Sequence, residues 1–110
     1  MTSVLFESHH LYYLPHFEPI IAELKRRGGY EIAASIPLTI SAGERRLFYE
    51  AVQRQGVESI TATDEEARVA KLHQREFDVI VVGNVGRVEE IAVENSMVVM
   101  VYHGIGLKQS

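Results

Sequence analysis

Two stretches, Asp78 to Val82 and Met97 to Tyr102, are apolar almost without interruption. A strand with one wet face alternates apolar and polar residues. A continuous apolar run of this length suits a strand buried on both faces, as in a parallel sheet covered by helices. Three further apolar runs precede them: Ser3 to Phe6, Tyr30 to Ile36 and Val57 to Ile60. Five such runs separated by helical patterns are the feature that most restricts the fold.

The segments between the runs carry that helical spacing. Phe17, Ile20, Ile21 and Leu24 follow i, i+3, i+4, i+7, which is one face of a helix. Lys25, Arg26 and Arg27 suit its carboxyl end, and Gly28-Gly29 can terminate it. Pro15 and Pro19 leave its start open, because both cannot occupy the first helical position. Ser41 with Glu44 reads as a capping box that opens a second helix, with Leu47, Phe48, Ala51 and Val52 inward and Gly56 closing it. Thr63 with Glu66 reads as another, opening a third helix through Leu72. A fourth, shorter helix is expected from about Gly86 to Val93, packed through Val88, Ile91 and Ala92. The order is therefore β-α-β-α-β-α-β-α-β. Strict alternation with short links predicts an α/β fold: a three-layer, doubly wound, Rossmann-like domain with a five-stranded parallel sheet in the order 3-2-1-4-5.

With 110 residues the chain makes a single domain. Hydrophobic residues at 46% and charged residues at 24% fit a globular protein. The formal charge is −4 with no basic block, so nucleic acid is not an expected partner. Cysteine is absent, which excludes disulfides and thiolate metal sites. No basic segment followed by a long apolar run opens the chain, and no stretch approaches the roughly 20 apolar residues of a membrane span. A cytoplasmic location is the expectation.

In such sheets ligands bind outside the carboxyl ends of the strands, at the switch point between strands 1 and 4. Three polar turns should meet there: Glu7-Ser8-His9-His10 after strand 1, Gly83-Asn84-Val85-Gly86 after strand 4, and His103 to Lys108 after strand 5. An imidazole titrates near neutrality, so the residue type of His103 suits a general base that deprotonates a hydroxyl; a strand-end histidine bonded to nearby backbone is the plainer alternative. Gly104 and Gly106 would let backbone N–H groups approach a ligand, or simply make a tight turn. Lys108 could pair with a phosphate or stay solvated. Gly83 and Asn84 precede a helix start, a favourable place for an anion, although neither the three-glycine dinucleotide pattern nor a P-loop is present. His9, His10 and His16 do not have metal-ligand spacing, and adjacent residues on an extended segment point apart, so no metal is expected. One of His9 and His10 lining the crevice is the better reading. Tyr12 and Tyr13 read as packing, and His73 as a surface residue.

Three stretches, FESHHLYYLPHFEPIIAEL, FDVIVVGN and VYHGIGLK, together resemble the CDP-glycerol glycerophosphotransferases of teichoic-acid-type polymer synthesis. The most specific piece is the H-G-x-x-x-K turn, carried by His103, Gly104 and Lys108. The resemblance implies a two-domain GT-B enzyme of which residues 1–110 form the N-terminal half, with the family's sequence continuing past Ser110. It implies transfer of glycerol phosphate from CDP-glycerol to the hydroxyl of a polyol-phosphate or glycan acceptor, with CMP leaving, His103 as the base and no cofactor. The parent would work as a peripheral protein on the inner membrane face. Family members often carry threonine after His-Gly. Ile105 stands here, which removes a hydroxyl contact and implies another acceptor or an inactive relative. Two other readings are a half-domain of a different GT-B enzyme (a glycosyltransferase or a UDP-N-acetylglucosamine 2-epimerase-like protein) and a stand-alone flavodoxin-like module. A receiver module is disfavoured, because Glu7 alone follows strand 1 and Asp64 lies beyond the end of strand 3. A half-domain with open apolar cleft surface is expected to self-associate.

Overall fold

The computed structural model describes residues 1–8, 14–83 and 88–101. Five strands alternate with four helices: β1 (Thr2–Glu7), α1 (Leu14–Arg27), β2 (Tyr30–Ser35), α2 (Ala42–Arg54), β3 (Glu58–Ser59), α3 (Glu65–Arg75), β4 (Val79–Val82), α4 (Val88–Ile91) and β5 (Met97–Met100). All pairings are parallel and the strand order is β3-β2-β1-β4-β5, as the alternation predicts.

The side-chain period of a strand splits the core into two layers. Val4 and Phe6 of β1 face α1 and α2, where they join Phe17, Ile21, Phe48 and Val52. Leu5 faces α3 and α4 and joins Val69, Leu72, Ile80 and Ile91. Phe6 and Phe17 pack with ring centroids 5.3 Å apart and a tilt of 54°. Such a pair adds about 0.5–1.5 kcal/mol to the burial of the rings themselves. Glu7 is next on the α3 side of β1, so the same alternation that builds the core aims a carboxylate into it.

The helix ends follow local chemistry. Gly28 and Gly29 have φ of +76° and +85°, and the Gly28 N–H donates to the Leu24 carbonyl at 3.0 Å. Only glycine adopts this left-handed turn without a Cβ penalty. Lys25 Nζ donates to the Gln55 carbonyl at 2.6 Å, which ties the last turn of α1 to the end of α2. Pro19 lies inside α1, where it removes one backbone donor. Ser41 caps α2 by accepting from the Glu44 N–H. The cap of α3 is Asp64, not Thr63: its carboxylate accepts from the Ala67 N–H at 2.8 Å, and the helix runs on to Arg75 rather than stopping at Leu72. A carboxylate at that position also suits the positive end of the helix dipole.

Two expectations about packing fail. Leu47, placed inward by spacing, is 48% exposed, because the buried stripe of α2 is Phe48, Ala51 and Val52. The run from Met97, read as buried on both faces, forms an outer strand whose four residues are all exposed, with Met97 at 61%. Among the described residues α4 is a single turn ending at Ile91, held by a bond from the Ala92 N–H to the Val88 carbonyl. The other sheet edge is guarded: β3 is two residues long, and its Glu58 is paired with Arg75 at 3.0 Å. No helix of the described residues is long and apolar enough to cross a membrane.

Candidate functional site

Parallel pairing sends every strand out at one rim. Glu7 of β1 lies opposite Ser35 of β2 and opposite Val82 of β4, and Val82 lies opposite Met100 of β5. The ladder continues one step past the strands, with the Ser8 N–H donating to the Ser35 carbonyl at 2.9 Å and the Val101 N–H to the Val82 carbonyl at 2.7 Å. Ser8, Gly83 and Val101 therefore lead out of the sheet side by side. Connections from β1 run toward β2 while those from β4 run toward β5, so the switch point falls between Ser8 and Gly83.

Gly83 is the described member of the predicted site, and it stands at this rim. His9, His10, Asn84, His103, Gly104, Gly106 and Lys108 lie outside the described residues, as do Tyr12 and Tyr13. His73 is exposed near the end of α3, as its position suggests. Among the described residues no group of three or more His, Asp or Glu side chains is placed to hold a metal ion.

The sequence reading misses the most heavily bonded cluster of the rim. Arg68 on α3 is fully buried, and Glu7 is 2% exposed. Arg68 Nη1 donates to Glu7 Oε1 at 2.9 Å and Nη2 to Glu7 Oε2 at 3.2 Å, a two-pronged match of guanidinium to carboxylate. On its other side Arg68 reaches Glu65, Nη2 to Oε2 at 2.6 Å and Nε to Oε1 at 3.0 Å. Nη1 also donates to Ser35 Oγ at 3.2 Å, and the Ser35 hydroxyl donates to Glu7 Oε1. The Leu38 N–H donates to Glu65 Oε1 at 2.8 Å, which brings the link between β2 and α2 into the cluster.

A guanidinium has five N–H donors, and each has an acceptor here. Burial by itself lowers the Arg68 pKa. The hydrogen bond to Glu65, together with the charge and hydrogen bond of Glu7, outweighs burial and holds it above the ordinary arginine value. Arg68 thus stays charged and has no donor left for a ligand. It clamps the ends of β1 and β2 to the first turn of α3. The clamp lies on the β2 side of β1, on the far side of β1 from β4 and β5.

Ser8 sits at that boundary. It is fully buried, and its hydroxyl has no hydrogen-bond partner among the described residues. At the opposite, amino-terminal edge of the sheet a shallow depression of about 240 Å³ is lined by Leu24, Lys25, Tyr30 and Val57 among others. The Lys25 ammonium there is spent on the Gln55 and Gly56 carbonyls at 2.6 and 3.4 Å. Ligands of open parallel sheets bind outside the carboxyl ends of the strands, so the depression is the weaker candidate despite its volume.

A signal for the clamp exists in the sequence. Glu65, Arg68, Val69 and Leu72 occupy i, i+3, i+4, i+7, so two charged residues fall on the inward stripe of α3. Charged residues at core positions are almost never fully buried unless they are paired, and Glu7 at the end of an apolar strand is the partner within reach. No family model, curated protein or solved structure matches the chain.

Proposed function

We propose that this chain is the N-terminal, acceptor-side domain of a two-domain glycerophosphotransferase that moves glycerol phosphate from CDP-glycerol to an acceptor hydroxyl. The observation that carries the reading is the common rim reached by Ser8, Gly83 and Val101. In sequence His9 and His10 follow the first of these, Asn84 follows the second, and the His103-Gly104-x-x-x-Lys108 segment follows the third. The resemblance of these segments to the transferase family supplies the substrate class.

In this reading His103 takes the proton of the acceptor hydroxyl. The oxygen attacks the phosphorus that bears glycerol, the bond from that phosphorus to the CMP oxygen breaks, and CMP leaves. Gly104 and Gly106 give backbone N–H groups close access to the phosphoryl oxygens, and Lys108 offsets their charge. His9 and His10 line the acceptor side. The donor nucleotide is held mainly by the second domain, so residues 1–110 alone bind acceptor but do not turn over CDP-glycerol. Phosphoryl transfer depends on positioning and on charge stabilisation from both walls of the cleft.

The test is CMP release from CDP-glycerol by the chain together with its C-terminal continuation, with the 110-residue chain as control. Removal of a general base typically costs about 10²- to 10⁴-fold. His103→Ala should lower the rate by that much. A loss under tenfold would make His103 a structural residue. Transfer from a UDP-sugar but not from CDP-glycerol would move the chain to another GT-B activity, and turnover by residues 1–110 alone would overturn the half-site reading.

A further inference from the structure

We draw no further inference here: the strongest candidate, the exposed apolar strip Met97–Met100 along the outer edge of β5, has nothing in the structure to show what covers it.

Discussion

Arg68 and Glu7 stand 61 positions apart in the chain and meet through two hydrogen bonds of 2.9 and 3.2 Å, both groups shielded from solvent. The pair joins the first strand to the third helix on one face of the sheet. Its removal from one side strands a charge. Arg68→Ala leaves Glu7 and Glu65 without their cation, and a loss of about 3–5 kcal/mol is expected. Arg68→Met with Glu7→Gln and Glu65→Gln, which removes the cation and both carboxylates of the cluster, should cost much less. Urea unfolding of the two variants reads the difference. Equal losses would mean that shape, not charge pairing, matters at this position.

Adjacent strands offer a second contrast. Ile80 of β4 and Val98 of β5 are register neighbours, yet Ile80 is fully buried and Val98 is 43% exposed. Ile80→Ala should destabilise by about 2–5 kcal/mol, the range for a large aliphatic side chain lost from a core. Val98→Lys should stay within about 0.5 kcal/mol, as surface changes do. A large loss at Val98 would show that β5 is covered in solution.

Glycine substitutions separate backbone strain from crowding. Gly29 has φ +85° and open space where a Cβ would sit, so Gly29→Ala should cost only the left-handed penalty of about 1–2 kcal/mol. Gly56 has φ +70°, and a Cβ there would lie 2.8 Å from Lys25 Nζ. Gly56→Ala should cost more, because it also pushes Lys25 off the Gln55 carbonyl. In a Lys25→Met background the excess should vanish. An excess that persists would place its cause elsewhere.

Acid sensitivity has a defined source at the amino edge. Asp78 accepts from the Ser3 N–H at 2.9 Å and from the Ser3 hydroxyl at 3.2 Å, and these bonds hold its carboxyl below the usual aspartate value. Glu58 is lowered in the same direction by the hydrogen bond from Arg75. A carboxylate with a depressed folded pKa contributes stability that is present above its unfolded value, about 4, and is lost as pH falls through the folded value. Stability measured from pH 5 downward should therefore fall less steeply in Asp78→Asn than in the parent chain. An unchanged slope would contradict the assignment.

Much of the fold is legible because strand and helix periods are physical. Ile80 to Val82 reads as buried and is; Ser41 with Glu44 and Gly28 with Gly29 mark helix ends that the structure reproduces. Legibility fails where tertiary position decides. Met97 to Met100 has the composition of a strand covered on both faces, and although the predicted order already puts it at an edge, no local pattern records that its four residues stay exposed. Thr63 and Asp64 both make good caps, and only the phase of α3 chooses between them. The clamp needs two distant segments, so Glu7 reads as a lone acid until Arg68 is placed against it. That β1, β4 and β5 all leave the sheet at one rim was legible from alternation alone, because strictly alternating strands and helices make the strands parallel.

The claim on which the function rests is that ligand chemistry belongs to the carboxyl rim on the β1–β4–β5 side. Titration of the ¹⁵N-labelled chain with glycerol 3-phosphate, as a mimic of the acceptor end, tests it directly by amide shifts. Saturable shifts centred on Ser8, Gly83 and Val101 are expected. Shifts confined to Lys25, Tyr30 and Val57 at the opposite edge, or no saturable shift at any residue, would contradict it.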